Sequence, residues 1–144
     1  MFAGNCYLTG EGEDTWAGAK SWCRNNNSAS YLASIHSAAE NDHIFDLLQV
    51  TGGKNGWIGY SDQAEDGKWV WTDGSTRYPY THWNQGEPNG GSRENCAHMR
   101  TDGFWNDRVC TDKLPFVCKV GIQHYVQGVS LIFLLCLYSG AFCS

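Results

Sequence analysis

Basic residues are scarce in this chain. Lys and Arg together make 10 of 144 residues, they form no cluster, and the net charge is −5. That excludes the positive field on which nucleic-acid binding depends. Zinc spacings are missing as well. There is no C-x-x-C, and no two of the five histidines stand as H-x-x-x-H. No Ser/His/Asp or Cys/His order with a recognisable local signature occurs, so hydrolases of those classes lack their machinery.

The two ends also lack things. No export signal precedes the first cysteine, because Met1-Phe2-Ala3-Gly4-Asn5-Cys6 runs straight into folded-looking sequence. Charge is absent from Val120 to Ser144. Within that segment, Val129 to Phe142 is almost entirely apolar, yet it falls short of the roughly 20 residues a bilayer helix needs. A cleaved C-terminal anchor has a tail of this size, but the polar spacer and small-residue attachment site are not convincing. The expectation is one domain over residues 1–120 and an apolar tail over 121–144 that is an anchor, an artefact or a fragment. A truncated start would reconcile the missing signal with the cysteines.

Seven cysteines, seven tryptophans, seven tyrosines and 17 glycines are what the chain does have. That usage belongs to an oxidising compartment, so an extracellular, secreted protein is expected, with membrane anchorage as the alternative. At this length one domain can bury a proper core. Asp14 or Thr15 can cap a first helix that places Trp16, Ala19 and Cys23 on one face, and Asn25 to Ser28 ends it. Tyr31 to Ile35 reads as a strand. Ser37 with Glu40 forms a capping box for a second helix with Ile44, Leu47 and Leu48 inward, stopped by Gly52-Gly53. Gly56 to Tyr60 and Lys68 to Thr72 are rich in strand formers, and Cys96 to Met99 and Pro115 to Cys118 read as closing strands. Helices first and short strands after give an α+β fold. The Gly-, Pro- and Asn-rich stretch from Asp73 to Cys96 is long enough to be a functional loop.

Chemistry concentrates in and after that loop. Glu87-Pro88-Asn89, Glu94 and Trp105-Asn106-Asp107 supply carboxylates from Glu87, Glu94 and Asp107 and amide carbonyls from Asn89 and Asn106. Ca²⁺ takes roughly 6–8 such oxygens. A sugar hydroxyl can give a lone pair to the ion, donate its proton to a carboxylate and accept one from an amide. Glu87 with Asn89, and Glu94 with Asn106, are two such acceptor–donor pairs, enough for a vicinal diol. The bland reading is polar loop residues. Glu87 and Glu94 could instead pair as the carboxylates of a sugar hydrolase, but a metal would neutralise both. His82, His98 and Arg93 read as ordinary polar residues. Trp57, Trp69, Trp71, Trp83 and Trp105 read as packing residues.

Taken in order from Gly4 to Val120, these residues resemble the C-type lectin domain family. The series runs Asn5-Cys6-Tyr7, the Trp16 helix ending in Cys23, Leu32-Ala33-Ser34-Ile35, Glu40, Trp57-Ile58-Gly59 and Trp69. It continues with Trp83-Asn84, Glu87-Pro88-Asn89, Glu94-Asn95-Cys96, Trp105-Asn106-Asp107, Cys110 and Phe116-Val117-Cys118. The resemblance implies a double-loop α+β fold with two helices, two small antiparallel sheets and a long calcium-binding loop region. It implies bridges Cys23–Cys118 and Cys96–Cys110, where the four cysteines alone allow three pairings. It carries the principal Ca²⁺ and sugar site onto Glu87, Asn89, Glu94, Asn106 and Asp107, with Pro88 as a cis-proline. A second calcium site falls on Asp62, Asp66 and a shared Glu94, with Gly90 and Asn95 departing from the usual ligands. Cys6 would pair upstream, where no cysteine exists, and Cys136 and Cys143 match nothing in the family. The implied function is binding, not catalysis. Its ligands are mannose-type glycans (mannose, N-acetylglucosamine, glucose, fucose) on glycoproteins or microbial surfaces, in innate recognition, with oligomers for avidity. The alternative is a calcium-independent protein-binding or structural domain of the same fold.

Overall fold

A computed structural model describes residues 4–76 and 79–121, with the backbone of 125–126 and 129–130. Strand β1 (Cys6–Thr9) leads to helix α1 (Trp16–Asn26), β2 (Ser30–Leu32) and helix α2 (Ala38–Val50). Strands β3 (Gly56–Ser61), β4 (Val70–Trp71), β5 (Cys96–Met99), β6 (Trp105–Arg108) and β7 (Val117–Val120) follow, with a 3₁₀ turn at Gly91–Arg93 before β5. One antiparallel sheet runs β1-β7-β2 and the other β4-β3-β5-β6. The architecture is the α+β arrangement of two helices and two small sheets. A further pair, β8 (Tyr125–Val126) with β9 (Val129–Ser130), lies within the apolar tail. Most of that tail is outside the described residues. No helix among the described residues is long and apolar enough to cross a membrane.

Helix α1 starts where its capping residue dictates. Thr15 is the cap: its hydroxyl accepts from Gly18 N–H at 3.1 Å, while Asp14 accepts from Thr15 N–H at 2.8 Å. Trp16, Ala19 and Cys23 are buried as their spacing requires. At the end of α2, Gly52 and Gly53 have positive φ and return their N–H groups to the Gln49 and Leu48 carbonyls.

The capping box of α2 is half of what the sequence suggests. Ser37 Oγ accepts from Glu40 N–H (3.1 Å), but Glu40 Oε2 accepts from His36 N–H (2.7 Å) rather than from the Ser37 amide. The other oxygen, Oε1, accepts from Lys119 Nζ and from the Tyr7 hydroxyl, all three groups being buried. Lys119 also donates to Ser34 O and Oγ at 3.2 Å, and Ser34 Oγ donates to Asp73 Oδ2 at 2.6 Å. A buried ion pair therefore ties β7 and β1 to α2 and reaches the start of the long loop.

Two cores flank the sheets because strand side chains alternate. On β7, Cys118 and Val120 face α1, while Val117 faces the core that contains α2's Ile44 and Leu48. Trp57 and Ile58 of β3 divide in the same way. Some expected strands differ in extent: Tyr31 to Ile35 becomes the shorter β2, Lys68 to Thr72 shortens to β4, and Pro115 to Cys118 shifts to β7. Trp105 to Arg108 is a strand where the sequence suggested only ligands. The long stretch after Asp73 is irregular yet anchored, through Ser75 to Asp73 and through a parallel bridge between Trp83 and Trp105. Disulfides join Cys23 to Cys118 and Cys96 to Cys110, with sequence separations of 95 and 14. Cys6, fully buried, is disulfide-bonded too.

Candidate functional site

The candidate site is built on β6 and on the loop in front of it, and Trp105 is the pin. Its ring is fully buried. Its Nε1–H donates to Asn41 Oδ1 on α2, its backbone N–H donates to His82 O, and its carbonyl accepts from Asn84 N–H, each at 2.8 Å. Asn41 Nδ2 donates to Gly103 O as well, at 3.1 Å. Helix, strand and loop are thereby fixed at one residue, and Asp107, two positions on, reaches the loop.

Asp107 holds that loop. Its Oδ1 accepts from Asn89 N–H at 3.2 Å and its Oδ2 from Gly90 N–H at 2.7 Å. The Glu87–Pro88 peptide is cis. Asn89 Nδ2 donates to Glu87 Oε1 at 2.9 Å, so an amide donor and a carboxylate acceptor adjoin at the surface. Glu94 follows the 3₁₀ turn and packs on Gly90. A Cβ at Gly90 would lie 2.3 Å from Glu94 Cβ and 2.4 Å from its Oε2, so only glycine leaves Glu94 in place. Asn106 turns its Nδ2 to the Asp107 carbonyl at 2.5 Å, and among the described residues no hydrogen bond joins it to Glu94. The Cys96–Cys110 bridge connects the start of β5 to the residues just after β6.

Electrostatics single out Glu87. Burial first, then the neighbouring Asp107 carboxylate and the charge of Glu94, push its carboxyl up to about 7, against the pull of Arg100. Its Oε2 is buried and has no hydrogen-bond donor. A carboxylate crowded by two others, with an oxygen left bare, is the environment that a hard cation relieves. The donor chemistry fits calcium, since the groups are carboxylate and amide oxygens. Two features stand beside that fit. Both carboxylate oxygens of Asp107 are engaged by backbone N–H groups, and among the described residues no three His, Cys, Asp or Glu side chains converge as a metal group.

The second set of residues comes together in part. Asp62 is buried, its Oδ2 accepts from Gly67 N–H at 2.8 Å, and its Oδ1 has no donor. Asp62 N–H donates to Asn95 O at 3.2 Å, and Asn95 Oδ1 is buried without a donor too. Asp66 is exposed and makes no hydrogen bond to Asp62 among the described residues. The Asp62 amide is thus tied to the Asn95 carbonyl, while Asp66 is exposed.

Sequence reasoning missed Asn41 and Arg100. Asn41 looked like any polar helix residue, and its partners lie 62 and 64 positions away. His82 is sandwiched, 4.5 Å from Phe104 and parallel to Tyr80, and His98 is buried against Trp57. Trp57, Trp71 and Trp105 are core residues, whereas Trp69 and Trp83 are half-buried and pack edge to face at 4.8 Å.

The Lectin C-type domain matches residues 12–120. The chain is 38% identical over 120 residues to a hepatic lectin of Gallus gallus, covering 82% of this chain and 56% of that protein. The chain therefore spans about half the length of that curated relative. The cow C-type carbohydrate-recognition domain of CD23, solved in the presence of a GlcNAc2Man3 oligosaccharide, superposes with a TM-score of 0.74 at 34% identity, covering 85% of this chain and 92% of that one. A calcium-independent type II antifreeze protein superposes with a TM-score of 0.74 at 30% identity, covering 83% and 88%. With its fold, its cysteine bridges and three-quarters of its length in agreement, this chain belongs to the C-type lectin domain family, a family of binding domains and not of enzymes.

Proposed function

We propose that this domain binds carbohydrate in a calcium-dependent manner and prefers mannose-type sugars with two adjacent equatorial hydroxyls. The observation that carries this is Glu87, whose buried Oε2 has no hydrogen-bond donor and whose carboxyl is raised by the negative charges of Asp107 and Glu94. Glu87, Asn89, Glu94, Asn106 and Asp107 would hold the ion, and calcium, when bound, would supply open coordination positions for the two hydroxyls. Everything else is work for the side chains. The Asn89 amide, which now donates to Glu87, is already beside the acceptor that one hydroxyl must also meet. A hydroxyl inserted there accepts from Asn89 and donates to Glu87. Glu94 and Asn106 offer the second pair once Asn106 releases the Asp107 carbonyl. Asp107 keeps the loop in register through Asn89 and Gly90.

Such a site is shallow, so one monosaccharide should bind on the millimolar scale, about −4 kcal/mol. Several copies on an oligomer or surface would raise avidity. Glycans on glycoproteins or microbial surfaces are the natural partners, an extracellular setting follows from the bridges, and innate recognition follows by analogy alone. A second calcium would use Asp62, Glu94 and Asn95, with Asp66 at the rim.

Retention on mannose-agarose and release by EDTA test the main reading, and a glycan array with and without EDTA would identify the sugar. A second reading, calcium-independent binding of protein, is favoured by the engagement of both Asp107 oxygens. Retention indifferent to EDTA would select it. The order of donor and acceptor has its own test. Glu87→Gln combined with Asn89→Asp reverses it and should move preference toward galactose by about tenfold or more, consistent with ~1–3 kcal/mol per recognised hydroxyl. A double variant that still prefers mannose on the array would refute the assignment.

A further inference from the structure

One motif has no part in the sugar site. Asn26-Asn27-Ser28 is an N-x-S tripeptide whose middle residue is not proline. Asn26 is the last residue of α1, Asn27 is its extended cap (φ −157°, ψ 126°), and Ser28 opens the turn into β2. Asn26 and Ser28 are exposed. Asn26 Nδ2 makes one surface hydrogen bond, to Trp22 O at 3.1 Å. The remaining bonds of the tripeptide are local. Asn27 N–H donates to Cys23 O, Asn27 accepts from Ser30 N–H and from Ala29 N–H, and the Arg24 guanidinium donates to Ser28 O. Among the described residues, no hydrogen bond of the tripeptide reaches α2, the second sheet or the 87–94 loop. Three residues upstream, Cys23 is bonded to Cys118, which places the chain in an oxidising compartment.

We propose that Asn26 is an N-glycosylation site that accepts an oligosaccharide from a polyisoprenyl diphosphate-linked donor. The step is a substitution without redox change. Asn26 Nδ2 attacks C1 of the donor's first sugar, and an N–C1 bond forms. The C1–O bond to the diphosphate breaks, its electron pair leaves with the lipid diphosphate, and one amide proton is lost to the transferase. The second amide hydrogen stays, so the bond to Trp22 O survives the modification. Access is favourable because Asn26 is exposed at the very end of α1, where helices fray, and its side chain makes a single surface hydrogen bond. A glycan at this position leaves the buried side of α1, with Trp16, Ala19 and Cys23, untouched. The proposal rests on passage through an oxidising, glycosylating compartment and not on the calcium reading.

The test expresses the full chain in animal cells with an export signal fused ahead of Met1. Secreted protein is treated with N-glycosidase F in heavy-oxygen water and mapped by mass spectrometry, alongside non-reducing mapping of Cys23–Cys118. The expected result is a glycan on the peptide containing Asn26, released with conversion of that asparagine to labelled aspartate. Asn26→Gln and Ser28→Ala should each abolish the modification, and Ser28→Thr should keep it. Asn26→Gln should leave mannose-agarose retention as it is in the wild type, so a failure of glycosylation and a failure of sugar binding are read separately. An unmodified Asn26 in wild type and Ser28→Thr, with the Cys23–Cys118 bridge formed, overturns the proposal. So does a glycan that persists in Asn26→Gln.

Discussion

Glu87 is held under influences that favour its protonated form, so under the proposed calcium reading metal binding should depend on pH. Its carboxyl is raised from 4.5 to about 7 by burial and by Asp107 and Glu94. Between those values the folded state binds more protons than the unfolded chain. In the metal-free protein this group therefore favours folding at low pH, and that contribution fades as pH rises through the window. Calcium needs the ionised form, so its affinity should fall about tenfold per unit as pH drops below 7. Calorimetric calcium titrations at pH 8 and pH 6 check this, and equal affinities would remove Glu87 from the ligand set. His98 works in the opposite sense. Burial first, then Arg108 and Arg100, lower it from 6.5 to about 4. Its stabilising contribution is complete above pH 6.5 and is lost as pH falls toward 4, by roughly 3 kcal/mol at most. Denaturant unfolding at pH 7 and 4.5 in EDTA should show that loss in the wild type and a smaller loss in His98→Gln.

Between elements, the buried Lys119–Glu40 pair is the connection with the largest consequence. Lys119 on β7 and Glu40 on α2 are 8% and 4% exposed, so neither charge has water as an alternative partner. Lys119→Met should cost about 3–5 kcal/mol, because Glu40 is left ionised and buried. Adding Glu40→Leu should recover much of that, less the bond to Tyr7. Urea unfolding of the single and double variants measures the difference, and equal stabilities would mean that the pair does not couple the elements. Part of this was legible. Ser37 with Glu40 announced the start of α2, because a cap is a local contact. The destination of Glu40 was not legible, since Tyr7 and Lys119 lie 33 and 79 positions away. For the same reason the sequence shows β6 only as ligands: Trp105-Asn106-Asp107 is too short to show strand periodicity, and its pairing with β5 is a tertiary matter.

For the molecule as a whole, the 95-residue separation of Cys23 and Cys118 spans nearly every element from α1 to β7. Closing a loop of that length is worth on the order of 4–5 kcal/mol through the unfolded chain. Replacing both cysteines by alanine should therefore lower stability by about 1–2 kcal/mol more than replacing Cys96 and Cys110, whose loop is worth about 3 kcal/mol. Thermal unfolding with calcium and with EDTA would separate the two effects. The short bridge lies beside the candidate site, so its loss should also reduce the stabilisation that calcium gives, whereas loss of the long bridge should leave that increment intact.

Residue type and short-range spacing already contained the oxygen-donor set, the capping of both helices and the inward face of α1, because each depends on neighbours within one or two turns. The candidate site's residues can therefore be named from the sequence. Their mutual state was a matter of folding: Asp107 clasping the loop amides, Glu94 fitting only against Gly90, and Trp105 pinned by Asn41 from the far helix. Those contacts join segments far apart in the chain, and the cost or gain of each depends on burial that no local pattern records.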